Sequence, residues 1–384
     1  MALSQSKSEI MRNLFFYGTL RHEALLETVL GDAGVAALRP AQLPGYRAYW
    51  ADGHGFPFLT QEPGGQAIGL LAEGLSDDAI ARLDFYEGGF GYGLHPVTVQ
   101  TDHGPVAAQV WLVPDGTYDR GAPFDLDDWA RCRAALNVRA AAEVMGLYGT
   151  RSAAEVARMY PMIEMRAQSW VMGRAEQVPD APGGMTRADV DLIDSQTPYI
   201  DYFAVESQRL RFRKFSGDMG PEVHYASFVA TDAALVLPYD PVRDRVMLVE
   251  QFRMGPQVRG DRVPWQLEPI AGRIDADETP EQTARREALE EAGLELRGLE
   301  LISRAYPSPG CSNEYFHTYL GLADLPEDAA GVGGLLAESE DIRSHILSFD
   351  AAMGMADRGE IRVVPLLMAL YWLARHRDRL RAGA

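Results

Sequence analysis

The chain has 384 residues, too many for one ordinary hydrophobic core, so two domains are expected. Hydrophobic residues make up 47% and charged residues 24%, as in globular proteins, and no apolar run approaches the roughly 20 residues of a membrane helix. A formal net charge of −19 argues against a nucleic-acid partner, and the two cysteines, Cys132 and Cys311, form no metal-binding or disulfide pattern and fit a reducing cytoplasm.

In chain order, a strand is expected at 13–17, ending in Gly18-Thr19. Glycines and prolines from Pro40 to Gly74 predict short strands joined by turns. Ser76 is placed to cap a short helix over 77–86, with Ile80 and Leu83 on its apolar side. Strands follow at 97–101 and 106–113, about a turn at Asp102-His103-Gly104. From 127 to 175 the composition turns helical, and Ser152 with Glu155 three residues on forms a capping box. The stretch 178–184 is rich in Pro and Gly and reads as a linker. Beyond it, alternating Arg209, Arg211 and Arg213 and the apolar segments 233–238 and 246–251 predict strands. A long loop, a well-marked helix and, at 364–381, an amphipathic helix with a basic tail complete the chain. The N-terminus shows no apolar segment leading to a small-residue cleavage site, so export is not expected.

The segment GRIDADETPEQTARREALEEAGL, residues 272–294, carries the clearest chemistry. Thr279 is an N-cap, Pro280 stands at N1, Gln282 closes a T-x-x-Q box and Gly293 supplies the stop. Glu287, Glu290 and Glu291 stand at i, i+3 and i+4, on one face of this helix. Like charges so placed repel by about 0.2–0.5 kcal/mol per pair. Taken alone, the trio is either a solvated acidic face or an oxygen-only ligand set for Mg²⁺ or Mn²⁺ rather than zinc.

The whole segment decides between these. Gly272, Glu278, Arg286-Glu287, Glu290-Glu291, Gly293 and Leu294 follow the pattern G-x5-E-x7-R-E-U-x-E-E-x-G-U, and the C-terminal half resembles the Nudix hydrolases. The resemblance implies an α/β/α sandwich and a pyrophosphohydrolase dependent on Mg²⁺, with Mn²⁺ as a substitute. It further implies that Glu287 and Glu291 bind metal, helped by the Ala271 carbonyl, with Glu290 as a further ligand. Glu278 and Arg286 would then position the loop and helix. Divalent ions suit this chemistry, because they neutralise a diphosphate and lower the pKa of the attacking water.

Flanking segments narrow the resemblance. Glu250-Gln251-Phe252-Arg253, Pro264 to Gly272, and Tyr306 to Glu314 around Pro309 resemble the ADP-ribose pyrophosphatases, and the resemblance extends over about 199–381. It implies that Arg253 contacts the diphosphate and that Glu268, Pro309 and Glu314 belong to the substrate pocket. In LAESEDI, residues 336–342, Glu338 is the implied catalytic base, and Glu340 its support or a further metal contact. Trp265 fits core packing, dimer packing or substrate contact equally. Relatives commonly dimerise by exchanging N-terminal strands, so a homodimer through this half is expected. One departure stands out: 223–227, VHYAS, lacks the Arg-Glu pair that relatives place around adenine and ribose. Nucleotide sugars and dinucleotides therefore remain open as substrates, and a non-catalytic ligand sensor remains open as a different class.

In the N-terminal half, Phe15-Phe16-Tyr17-Gly18-Thr19-Leu20 is followed by Leu83-Asp84-Phe85-Tyr86-Glu87-Gly88 and then Tyr92. These residues resemble the γ-glutamylcyclotransferase-like fold, a small mixed β-barrel with helices, over about 13–120. The resemblance implies that Glu87 shuttles the proton of a substrate α-amino group and that the Tyr17, Gly18, Thr19 and Leu20 backbone holds its carboxylate. Gly93-Leu94 stands where the family carries a basic residue, so a cyclotransferase, a ligand-binding module and a scaffold all stay open. The combined architecture resembles Nudix fusions associated with tellurite resistance. The expected organisation is an α/β two-domain chain: a γ-glutamylcyclotransferase-like domain with a helical extension over 1–178, and a Nudix domain over 186–384. Its expected partner is a small-molecule nucleoside diphosphate, with no membrane or nucleic acid.

Overall fold

Short polar punctuation and long apolar stretches alternate in the N-terminal half, and the computed structural model turns them into a closed sheet. It describes residues 12–34, 37–176, 182–334 and 340–383. The chain divides into two units, Met1–Arg174 and Ala175–Ala384. In the first, the elements run β1 (Arg12–Phe16), α1 (Glu23–Leu30), β2 (Ala37–Ala51), β3 (Pro57–Leu75), α2 (Asp77–Glu87), β4 (Gly93–Thr101), β5 (Gly104–Leu112), β6 (Arg120–Pro123), α3 (Leu126–Gly146) and α4 (Ala153–Ala175). The strands pair in the order β3-β1-β5-β4-β2, and β2 returns to β3, closing a five-stranded barrel with β6 added outside. Phe15, Leu71, Val99 and Val110 fill its interior. Closure leaves no barrel strand with an unpaired edge.

The short strands and turns expected between Pro40 and Gly74 are instead one hairpin of a 15-residue and a 19-residue strand. Glycine and proline do not break it: Pro44, Gly45, Pro63, Gly64 and Gly65 collect at one irregularity, Gly53 and Gly55 lie in the connecting turn, and Pro40 and Gly69 are paired within the ladder. Gly45, at φ 78°, lies within a register shift between Pro44 and Tyr46, opposite Gly64 at φ 82°. This is a bulge that bends the strands for closure. The helix caps follow expectation. Ser76 Oγ accepts from the Ala79 amide at 3.1 Å, and Ser152 and Glu155 cap each other reciprocally at 3.2 and 2.8 Å.

In the second unit, β7 (Val190–Ile200), β8 (Ala204–Phe212) and β9 (Val223–Val229) form a separate three-stranded sheet. The main sheet is built from β10 (Ala233–Asp240), β11 (Arg245–Phe252), β12 (Trp265–Glu268), β13 (Ile270–Arg273), β14 (Gly298–Ala305), β15 (Phe316–Leu322), β16 (Val332–Gly333) and β17 (Ile342–Ser348). Its order is β14-β15-β10-β11-β17-β16, with β12 on β11 and β13 on β10. Strand β10 is buried nearly throughout, as a central strand covered on both faces must be. On one face lies α6 (Pro280–Ala292); on the other lie α7 (Phe349–Asp357) and α8 (Val364–Ala382), whose Phe349, Leu366, Leu370 and Leu373 pack on Leu237, Val246 and Leu248. The result is the expected α/β/α sandwich.

The long loop expected after Gln251 is instead a short helix, α5 (Met254–Arg259), and strands β12 and β13. Its Pro, Gly and Arg content hides strands that are stabilised by pairing across the fold, such as Val249 with Glu268. Among the described residues, no helix is long and apolar enough to cross a membrane.

Candidate active site

Helix α6 starts and stops where its sequence dictates. Thr279 Oγ accepts from the Gln282 amide at 3.3 Å, Gln282 Oε1 accepts from the Thr279 amide at 2.8 Å, and Gly293 ends the helix at φ 62°. The apolar side of the helix buries Ala284 and Ala288 completely. The same rotation carries Glu287 and Glu291 inward, where Glu291 is 1% exposed. Its Oε2 is buried with no hydrogen-bond partner. Burial, reinforced by the charges of Glu287 and Glu340, pushes its carboxyl up to about 9, while the Ala271 amide and Arg253 oppose the shift. Burial likewise pushes Glu287 up to about 7, against the neighbouring Arg286.

Glu287 lies hard against the loop before the helix. A Cβ added at Gly272 would stand 1.8 Å from Glu287 Oε1, so only glycine permits this approach. Arg286 organises the remaining carboxylates. It donates to Glu278 twice at 2.9 Å, to Glu287 at 2.6 Å, to Glu290 at 2.9 Å and to the Arg273 carbonyl at 3.3 Å. These bonds hold the Glu278 carboxyl below its ordinary range, helped by the Thr283 hydroxyl.

Among the described residues, no three His, Cys, Asp or Glu side chains are gathered into a ready-made metal cluster. Glu290 is turned onto Arg286 rather than toward Glu291. Three like charges do not converge without a cation between them, and Arg286 supplies part of that charge here. The donors nonetheless fit a hard divalent ion: all are oxygens, and one buried carboxylate oxygen is unpartnered.

Residues distant in sequence complete the site. Arg253, at the end of β11, donates to Glu268 Oε2 at 2.7 Å. Glu268 is 9% exposed, and burial raises its pKa against the pull of Arg253. Glu314 is also raised by burial, with Arg273 and Arg253 opposing. Arg253 thus lies near enough to act on Glu268, Glu291 and Glu314, while Glu340 acts on both Glu287 and Glu291. The expected residues Arg253, Glu268, Glu287, Glu291, Glu314 and Glu340 therefore lie within electrostatic reach of one another. Pro309 stands on an exposed segment. Glu338 lies outside the described residues. Trp265 is not core: it is 50% exposed, edge-to-face with Phe252 at 5.6 Å. Sequence reasoning missed Arg273, which donates to Tyr202 Oη at 3.0 Å and Thr231 Oγ at 2.7 Å, because it fills an unspecified position of the motif.

In the first unit, Glu87 ends α2 beside a cluster of tyrosines. Burial pushes its carboxyl up to about 7. Its charge in turn raises Tyr17, Tyr92 and Tyr160, each dominated by its own burial. The Tyr17 and Tyr92 hydroxyls are hydrogen-bonded, and Tyr92 Oη donates to the Pro57 carbonyl at 3.3 Å. A Cβ at Gly18 would come within 2.9 Å of Pro57, so the Tyr17–Leu20 turn also requires its glycine. The structure places Glu87 and Tyr17 together, and Tyr160 joins them from α4 in the helical extension.

Comparison with known families agrees with this division. A family model described as NUDIX domain matches residues 229–367, and one described as Gamma-glutamyl cyclotransferase, AIG2-like, matches 14–131. An ADP-ribose pyrophosphatase of Escherichia coli is 38% identical over 193 residues, covering 50% of this chain and 91% of the relative. One from Haemophilus influenzae is 33% identical over 190 residues, covering 49% and 87%. A GDP-mannose pyrophosphatase of Salmonella arizonae is 36% identical over 142 residues, covering 37% and 73%. The motif, its buried carboxylates and these relatives lead to one statement: the chain belongs to the Nudix hydrolases as a pyrophosphohydrolase, joined to a γ-glutamylcyclotransferase-like, AIG2-like unit.

Proposed function

We propose that the second unit hydrolyses ADP-ribose to AMP and ribose 5-phosphate with Mg²⁺. Glu291, whose buried Oε2 has no hydrogen-bond partner, lies beside Glu287 and Glu340 and carries this reading, because such a group is stable as an anion only with a cation against it. Glu287, Glu291 and the Ala271 carbonyl would hold the ions, with Glu290 turning from Arg286 as a further ligand. Bound divalent ions supply neutralisation of the diphosphate and a lower pKa for the attacking water. Arg253 orients the diphosphate, Glu268 fixes Arg253, and Glu314 and Pro309 border the substrate. Glu338 takes the proton from the water, and Glu340 supports it. A panel of nucleoside diphosphate derivatives with Mg²⁺, products separated by chromatography, tests this: no phosphate-bond cleavage across the panel overturns it. Preferred cleavage of a nucleotide sugar would favour a second reading, which the GDP-mannose pyrophosphatase relative supports.

Glu338→Gln is expected to lower kcat by about 100-fold, within the usual range for a general base, with little change in Mg²⁺ affinity. An equal loss of metal affinity in titration calorimetry would make Glu338 a ligand instead.

The Nudix unit acts as a homodimer in this reading. Leu192, Tyr199, Tyr225 and Phe228 on the three-stranded sheet are between 50% and 57% exposed, more apolar surface than a lone sheet face favours. The active protein is cytoplasmic in this reading. The first unit is a separate module that binds or cyclises a γ-glutamyl ligand, with Glu87 moving the α-amino proton and the Tyr17–Leu20 backbone holding the carboxylate. Glu87→Gln should abolish any release of 5-oxoproline from γ-glutamyl substrates. A chain starting near Thr186 should keep pyrophosphohydrolase activity within about twofold, because each unit holds its own set of motif residues. A truncated protein that is folded and dimeric yet inactive would overturn this independence.

A further inference from the structure

The first unit continues past the residues 14–131 matched by the γ-glutamyl cyclotransferase family model, into the hairpin of α3 and α4. Glycines seat this hairpin on the barrel at two points. A Cβ added at Gly89, just after Glu87, would stand 2.7 Å from the Ala153 carbonyl oxygen and 2.9 Å from Ala157 Cβ. One added at Gly55, in the β2–β3 turn, would run into the Arg133 guanidinium. Arg133 and Asn137 share one face of α3, and Tyr160 and Glu164 share one face of α4. The two faces meet: Arg133 Nη2 donates to Glu164 at 3.1 Å, and Asn137 is hydrogen-bonded to Tyr160. Packed helices ordinarily bury an apolar stripe between them, so this polar one needs a reason besides packing.

Glu87, Tyr86, Tyr92 and Tyr160 are each partly exposed, yet burial is the leading cause of each one's raised pKa. Groups that water reaches but cannot surround line a recess rather than a flat surface. Glu87 acts on Tyr160, and Glu164 acts on both Tyr160 and Tyr86, so the helical hairpin and the barrel border the same recess. Beside it, Asn137 leaves one bond unmade. Its amide N–H donates to the Tyr160 hydroxyl oxygen, while its Oδ1 is buried with no hydrogen-bond partner. A buried acceptor left unpaired is costly, and a donor arriving from the recess completes it. In a γ-glutamyl amide the α-amino group goes to Glu87 and the α-carboxylate to the Tyr17–Leu20 backbone, which leaves the γ-amide N–H. We propose that Asn137 Oδ1 accepts this N–H, so that the α3–α4 hairpin selects γ-glutamyl amides against γ-esters and free glutamate. An ester of the same shape has no such proton, and the γ-carboxylate of glutamate brings a further negative charge toward Glu87 and Glu164. The inference rests on the γ-glutamyl reading of the first unit.

Calorimetric titration of the full-length Glu87→Gln chain reads binding without turnover. The probes are two ligands of one shape, the γ-methylamide and the γ-methyl ester of L-glutamate. The amide should bind about tenfold more tightly than the ester, the effect of one hydrogen bond to a buried acceptor. Adding Asn137→Leu, which keeps the volume and removes the acceptor, should weaken the amide by about the same factor and leave the ester within about twofold. Tyr160→Phe, the milder change, removes the hydroxyl that holds Asn137 and should weaken the amide about threefold, again without moving the ester. It decides the question if Asn137→Leu does not fold. An amide preference that survives these changes would overturn the proposal, and so would an equal loss of both ligands with a lower Tm, the mark of a merely structural role. A chain that binds both probes equally with Asn137 in place would overturn the selection while leaving γ-glutamyl binding intact. A chain that binds neither would overturn the γ-glutamyl reading itself.

Discussion

Glu291→Gln is expected to lower turnover about 1,000-fold while making the metal-free protein more stable. The first effect follows from its place. A carboxylate at 1% exposure, close to Glu287 and Glu340, is the strongest candidate to hold a cation against the diphosphate, and losing one such electrostatic element costs roughly 10²–10³. The second follows from linkage. Burial raises the folded-state pKa of Glu291 from an ordinary value of 4.5 to about 9, so the folded protein holds more protons than the unfolded chain between those values. Metal-free stability therefore falls as pH rises through that window, and Glu287, raised to about 7, steepens the lower part. Glutamine has no proton to lose. In EDTA the mutant should melt above wild type at about pH 8, and the difference should shrink toward about pH 5. Added Mg²⁺ should raise the Tm of wild type and leave that of the mutant nearly unchanged. A mutant that melts lower in EDTA, or turns over normally at limiting Mg²⁺, would remove Glu291 from the metal site.

The features legible in the sequence were those set by near neighbours. Thr279 with Gln282, Ser152 with Glu155 and Ser76 before its helix are local hydrogen bonds, so spacing alone predicts them. The placement of Glu287 and Glu291 on one helix face is local too, and the motif then gave it chemical meaning. The long β2–β3 hairpin was hidden because bulge glycines and turn glycines look alike in a sequence. The bond from Arg362 to Asp261, at 2.8 Å, was hidden for a different reason: it spans 101 residues, and no local spacing can announce such a pair. Tyr160 joins Glu87 in the same manner, from a helix beyond the matched family region. The missing Arg-Glu pair at 223–227 was legible, but its consequence was not, because β9 presents Tyr225 to solvent at 57% exposure.

Arg286→Ala should have the opposite effect to Glu291→Gln, destabilising the metal-free protein by about 3 kcal/mol. One guanidinium there bonds Glu278, Glu287, Glu290 and the Arg273 carbonyl. Removing one partner of a buried ionic network costs about 3–5 kcal/mol, and the low end applies because the Arg286 side chain is 29% exposed. Three carboxylates would be left facing one another with no cation among them. Mg²⁺ should then stabilise the mutant more than wild type, since it replaces a charge that wild type already has. Lowering the pH toward 4 should also narrow the gap, because protonated carboxyls no longer repel. Arg286→Lys should recover less than half the loss: an ammonium is a point charge and cannot reach Glu278 through two parallel bonds while also meeting Glu287. Urea unfolding in EDTA, with the slope unchanged between variants, is the measurement. If Arg286→Ala lies within about 0.5 kcal/mol of wild type, the network contributes no more than a typical surface pair, and the helix must be held in place by the packing of Ala284 and Ala288, its caps and bonds such as Arg285 to the Leu296 carbonyl.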